Sequence, residues 1–179
     1  VAARKQAPLE EVVKAAQAKG RRAKAYSVDL RSVSALRALV DDVVKDFGDL
    51  HILVNNAGVQ LLAPAEELSE EYWDETLTTN LKAPFFNAQA AAKHFIKRGG
   101  GGKIVNITSI WAEVGFPLFS AYCAAKHANG ACAAGPGWRI PSPSVPSPGR
   151  RHGRRPVADR SRAVRFGDLR NPQGTLTNI

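Results

Sequence analysis

The sequence predicts an α/β fold, a parallel sheet covered by helices on both faces, followed by an irregular basic tail. Three observations carry this. Helix-like and strand-like apolar periodicities alternate as far as Gly135. A composition of 44% apolar and 23% charged residues suits one globular core in 179 residues. Beyond Gly135 the composition changes: residues 135–179 hold nine arginines, no lysine and two aspartates, with seven prolines and six glycines. Most of the net charge of +9 therefore belongs to that stretch, where regular structure is not expected. The chain divides into a domain over 1–134 and a tail over 135–179.

The elements come in order. Pro8 is tolerated in a first helical turn, and Leu9, Val12, Val13 and Ala16 recur at helical spacing until Gly20 ends the run. A short strand is expected over Ala23 to Val28. Val33, Leu36, Val40, Val43, Val44 and Phe47 then repeat every three or four residues, opening near Ser32 and closing at Gly48, which is an amphipathic helix. Ile52, Leu53 and Val54 read as a buried strand. Ser69 to Arg98 is rich in helix formers, with Pro84 bending it, and Gly99 to Gly102 turn the chain into a strand over Lys103 to Ile107. A last helix covers about Ala121 to Cys132. Sheets built this way bind ligands at the carboxyl ends of their strands.

Several classes are excluded. No run approaches the roughly 18 consecutive apolar residues of a spanning helix, so no membrane partner is expected. Cys123 and Cys132 are too few for a disulfide framework and lack the spacing of a zinc site, which points to a reducing compartment and no metal. Val1 to Leu9 contains Arg4, Lys5 and Pro8 without an apolar core, so a secretory signal is not expected and the cytoplasm is the default location. There is no methionine, even at position 1, which suggests processing, a valine start or an internal piece of a longer chain.

The strand ends carry the chemistry. Asn55-Asn56-Ala57-Gly58 comes after one strand, small and amide-bearing residues that let a flat ligand approach the backbone; alone, the run is also an ordinary turn. Thr108 and Ser109 come after the next, where a serine is also a common cap. Tyr122 and Lys126 stand four residues apart on one helical face, so an ammonium lies near a phenol. A nearby positive charge favours the phenolate and brings a group that titrates near 10 toward a working proton donor or acceptor.

Taken together with Asn80, these residues in this order and spacing resemble the short-chain dehydrogenase/reductase family. The stretches Phe47 to Gly58 and Lys103 to Ser109 agree, and the resemblance runs from residue 1 to about Gly130. It implies a partial Rossmann-type, doubly wound sheet and hydride transfer between NAD(P)(H) and a carbonyl or secondary alcohol carbon. By the resemblance Tyr122 exchanges the proton with the substrate oxygen and Ser109 hydrogen-bonds that oxygen. Lys126 holds the nicotinamide ribose and lowers the tyrosine pKa, and Asn80 anchors a water that continues the proton relay. Cofactor contacts carried over are Asp29 and Leu30 at the adenine and Asn56, Ala57 and Gly58 beside the ribose and nicotinamide, with Tyr122 and Lys126. Val1-Ala2-Ala3-Arg4 places an arginine where NAD-preferring members carry an acidic residue, so NADP is favoured, through a guanidinium pairing with the 2′-phosphate, with NAD the alternative. The partners implied are a small carbonyl or alcohol substrate and, for an intact member, a second copy of the chain. The segment Ile110 to Ser120, with Trp111, Val114, Phe116, Pro117, Leu118 and Phe119, makes an aromatic wall for that substrate.

The departures generate expectations of their own. A complete member begins with a strand and a glycine-rich turn that cradles the pyrophosphate, which sets the expectation of a truncated start and weak dinucleotide affinity. After Lys126, the family continues with a long apolar helix, a strand and a Pro-Gly turn, whereas this chain enters an arginine-rich tail in which Pro148-Gly149 has no buried strand before it. A frameshift near residues 127–135 accounts for that composition. Read at face value, the tail suggests instead a catalytically inactive binding module for nucleic acid phosphates or a partner subunit. The shortage of aromatic residues, Trp138 and Phe166 only, argues against nucleic acid.

Overall fold

The structure is a computed structural model, and it describes residues 1–134. The tail expected over 135–179 lies outside the described residues. Helices and parallel strands alternate: β1 (Ala2–Ala3), α1 (Gln6–Ala18), β2 (Tyr26–Ser27), α2 (Val33–Phe47), β3 (Ile52–Asn55), α3 (Glu70–Leu77), α4 (Ala83–Lys97), β4 (Lys103–Asn106) and α5 (Ser120–Ala134). Each strand pair is parallel and each is bridged by helix, as the α/β class requires.

The helices begin and end where local chemistry dictates. The hydroxyl of Ser32 accepts from the Ala35 N–H and opens α2, and Gly48 closes it in the left-handed region at φ 88°. Ser69 caps α3 by accepting from the Tyr72 N–H. The expected single bent helix over Ser69 to Arg98 is instead two helices joined by a π-helical turn at Thr78–Lys82. Pro84, the second residue of α4, explains the break. It has no N–H to give the carbonyl of Asn80 four residues earlier, so the ladder widens before it.

The strands differ more from expectation. The strand over Ala23 to Val28 shrinks to Tyr26–Ser27, because β1 is only two residues long and a ladder cannot outrun its partner. Its hydrogen bonds run from Tyr26 N–H to the Val1 carbonyl at 3.0 Å and from Val28 N–H to the Ala3 carbonyl at 3.0 Å. The expected continuous sheet is, among the described residues, two separate pairs, β1 with β2 and β3 with β4. Nor is β3 buried on both sides: Ile52 and Val54 are 56% and 53% exposed, while the alternate positions Leu53 and Asn55 are half-buried. Helix α4 packs against β3, and α2 packs against α4, so the core lies among the helices. Leu36 and Val40 of α2, Ala88, Ala91 and Phe95 of α4, and Ala121 and Ala125 of α5 form it. No helix among the described residues is long and apolar enough to cross a membrane.

Candidate active site

Helix α5 packs against β4 and against the π turn, and Lys126 of α5 reaches the Ile107 carbonyl just past the end of β4. From β3 the chain enters Asn56-Ala57-Gly58, and the amide of Asn80 holds the next residue. Val59 N–H donates to Asn80 Oδ1 at 2.9 Å and Asn80 Nδ2 donates to the Val59 carbonyl at 2.8 Å. Asn80 is fully buried in the π turn, so this two-point clamp fixes the loop against a rigid support. A Cβ on Gly58 would stand 2.9 Å from Asn80 Oδ1 and 3.5 Å from Lys126 Nζ, a fit that only glycine allows.

Ser109 lies beyond β4, and its Oγ accepts from the Trp111 N–H at 3.3 Å, starting the short turn Ile110–Ala112. His127 Nδ1 donates to the Ala112 carbonyl at 2.6 Å and ties that turn to α5. Tyr122, also on α5, is half-buried, and its phenol is pushed above its ordinary pKa by burial while the hydroxyl of Ser109 pulls it back down. Lys126 is 3% exposed. Among the described residues its ammonium has one hydrogen-bond acceptor, the Ile107 carbonyl at 3.0 Å, and burial lowers its pKa. Lys126 Nζ stands over the Tyr122 ring, 5.7 Å from its centre. The expected depression of the tyrosine pKa by Lys126 is therefore not found, because burial is the dominant influence and the ammonium sits over the ring face. The aromatic wall is present: Trp111 stacks on Phe116 with ring centres 4.4 Å apart, and Phe119 meets the Tyr122 ring edge-on at 6.0 Å.

Arg4, Asp29 and Leu30 fall at the ends of the other strand pair, in a second cluster. Leu30 is half-buried. The Asp29 carboxylate accepts from Arg31 and is held at about 2, chiefly by the Arg31 side chain. Arg31 also reaches Glu75 of α3, whose other carboxylate oxygen lies 3.9 Å from the Arg4 guanidinium. Arg31 and Glu75 escape a sequence reading, because 44 residues separate them.

Behind the first cluster four asparagines form a line. Asn87 Nδ2 donates to Asn55 Oδ1 at 2.9 Å, Asn55 Nδ2 to Asn106 Oδ1 at 2.9 Å, and Asn106 Nδ2 to Asn129 Oδ1 at 2.8 Å. Asn55 Nδ2 also donates to the Pro84 carbonyl at 3.2 Å. The line crosses from α4 through β3 and β4 to α5 and so ties α5 to the strands. Asn87 and Asn129 escape a sequence reading too. Their only signal is helical spacing, seven residues beyond Asn80 and three beyond Lys126.

The donor set suits a dinucleotide at two places. The buried Lys126 ammonium keeps protons beyond the one given to Ile107, facing a glycine turn packed too closely for any side chain, and an exposed arginine stands at the end of β1. Among the described residues, no three His, Cys, Asp or Glu side chains gather as a metal site would require.

A family model for short chain dehydrogenase matches residues 1–134. The 2-dehydro-3-deoxy-D-gluconate 5-dehydrogenase of Escherichia coli (strain K12) is 44% identical over 116 residues, covering 65% of this chain and 46% of that protein. The gluconate 5-dehydrogenase of Gluconobacter oxydans (strain 621H) is 42% identical over 112 residues, covering 63% of this chain and 43% of that protein. The crystal structure of an NAD+-bound xylitol dehydrogenase superposes with a TM-score of 0.71 at 30% identity, over 74% of this chain and 51% of that one. The chain thus spans about half the length of the relatives it matches.

Proposed function

The chain belongs to the short-chain dehydrogenase family, and from that premise we propose that it serves hydride transfer between a nicotinamide dinucleotide and a secondary alcohol or carbonyl carbon of a small polyol or sugar-derived substrate. The convergence of Ser109, Tyr122 and Lys126 beside the Gly58 turn carries the reading. When bound, the nicotinamide supplies the hydride chemistry. In the oxidative direction the Tyr122 phenolate takes the hydroxyl proton of the substrate as its carbon gives up hydride; in reduction the phenol returns that proton to the carbonyl oxygen. Ser109 donates to the same oxygen and stabilises charge where it develops. Lys126 offers its remaining ammonium protons to the ribose hydroxyls and so orients the reacting ring. Asn80 holds the turn that would receive the ring. Its carbonyl, to which Pro84 can give no N–H, anchors the water of the proton relay.

The phosphorylated cofactor is favoured. Arg4 is 56% exposed at the end of β1, and its ion pair to Glu75 is loose at 3.9 Å. A guanidinium so placed suits a 2′-phosphate. Asp29 and Leu30 would hold the adenine, and Asn56 and Ala57 with Gly58 would hold the ribose and nicotinamide. The similar proteins named for gluconates and xylitol support a polyhydroxylated substrate.

The test is NADPH formation at 340 nm with a panel of polyols and sugar acids, repeated with NAD+. Tyr122→Phe is expected to lower the rate by roughly 10² to 10⁴-fold. A Tyr122→Phe protein that keeps the full rate would overturn the assignment.

A further inference from the structure

Four charges meet beyond the carboxyl ends of β1 and β2. Arg31 stands between two carboxylates, with NH1 donating to Glu75 Oε2 at 2.8 Å, NH2 to Asp29 Oδ2 at 2.8 Å and Nε to Asp29 Oδ1 at 3.0 Å. Its backbone N–H also donates to Asp29 Oδ1 at 3.0 Å. The fork of Arg31 is thus engaged on both sides. Arg4 has much less: its NH1 lies 3.9 Å from Glu75 Oε1, and its side chain is 56% exposed against 24% for Glu75. One carboxylate is therefore shared unequally between two guanidiniums.

From this arrangement we infer that Arg31 is a specificity-determining residue for a 2′-phosphorylated cofactor: by holding Glu75 and Asp29 it leaves the Arg4 guanidinium free to bind the phosphate. The inference rests on the role proposed above for Arg4. If Arg31 is removed, the close cation left to Glu75 among the described residues is Arg4, and the two close on each other. The phosphate then meets an arginine already paired with Glu75 and an Asp29 carboxylate that has lost its Arg31 partner, and like charges at such separations repel appreciably even in a wet site. With Arg31 in place, the four charges balance before the ligand arrives, and the incoming anion exchanges a 3.9 Å contact for a direct one. Asp29 stays ionised well below neutrality in the grip of Arg31, so the balance holds at any ordinary pH. A purely structural role makes a different prediction, since exposed ion pairs of this kind contribute little to stability.

The experiment compares binding of adenosine 2′,5′-bisphosphate and adenosine 5′-monophosphate to the full chain by calorimetry at low salt. Wild type is set beside Arg31→Ala, Glu75→Gln and the double variant, with urea unfolding of each. The expected result is a preference for the bisphosphate that falls about tenfold in Arg31→Ala. It returns in the double variant, rises or holds in Glu75→Gln, and is accompanied by near-constant unfolding midpoints. A wild type that prefers the bisphosphate alongside an Arg31→Ala variant that keeps the preference overturns this inference alone. A wild type with no preference overturns the role of Arg4 and this inference with it. Should Arg31→Ala fail to fold, Glu75→Gln decides: a reduced preference in that variant overturns the inference.

Discussion

Tyr122, the proton carrier of the proposed mechanism, has surroundings that resist its ionisation. Burial raises its pKa, and the Ser109 hydroxyl opposes that rise by favouring the phenolate. Ser109→Ala therefore shifts the tyrosine further upward, which a titration at 295 nm, corrected with Tyr122→Phe, resolves. Under the proposed mechanism alcohol oxidation needs the phenolate, so its rate is expected to climb with pH through a point above the ordinary tyrosine value, and the serine variant to move that point higher still. The same shift touches stability. A phenol that holds its proton more tightly when folded contributes stability that is complete below about pH 10 and is lost as pH rises through the folded value. Tyr122→Phe should then lack that part of the alkaline loss in unfolding midpoint. Gly58 makes a second prediction at this scale. Gly58→Ala sets a methyl group 2.9 Å from Asn80 Oδ1 on a clamp with no slack, for a cost on the order of 1–3 kcal/mol in urea unfolding. An unchanged midpoint would show that the turn can give way.

At the level of elements, Asp49 lies between β3 and the end of α4. His94 Nε2 bonds its Oδ1 at 2.6 Å, the Leu50 N–H donates to the same oxygen at 2.7 Å, and Arg98 pairs with Oδ2. The His94 bond is the largest of the influences that hold the Asp49 carboxyl at about 2. Because the folded value is depressed, the stability it brings is present above the unfolded value of about 3.9 and is lost as pH falls through 2. Asp49→Asn should therefore show a flatter unfolding midpoint between about pH 4 and pH 2 than wild type; equal slopes would mean that the pair does not couple strand to helix. Helices are legible in the sequence because their information is local: Ser32 and Gly48 bound α2, and apolar spacing sets its buried side. Strand lengths are not, since β2 extends only as far as β1 can pair with it. The outward face of β3 is equally hidden. Ile52-Leu53-Val54 has the composition of a strand covered on both sides, and coverage is decided by distant elements.

Across the whole molecule, the candidate set of Ser109, Tyr122 and Lys126 is legible from order and spacing, since Ser109 follows β4 closely and Tyr122 and Lys126 lie one turn apart on α5. What joins those elements is not, because it lies in contacts between residues far apart in the chain, such as Arg31 with Glu75 and Asn106 with Asn129. The line of asparagines has a sense as well as a course. A peptide carbonyl only accepts, so Pro84 obliges Asn55 to turn its NH₂ toward α4 and β4. Asn106 must then present its oxygen to Asn55 and its NH₂ to Asn129, and Asn87 must present its NH₂ to the oxygen of Asn55. One carbonyl thus dictates four orientations, as the first tile dictates a row of dominoes. Substituting a carboxylate distinguishes the links. Asn55→Asp removes two donors and leaves Pro84 and Asn106 facing lone pairs with lone pairs, whereas Asn106→Asp removes only the donor to Asn129. The first should lose more stability by roughly 1–3 kcal/mol, and equal losses would show that the row can reverse, making α5 free to settle in two registers of polarity rather than one.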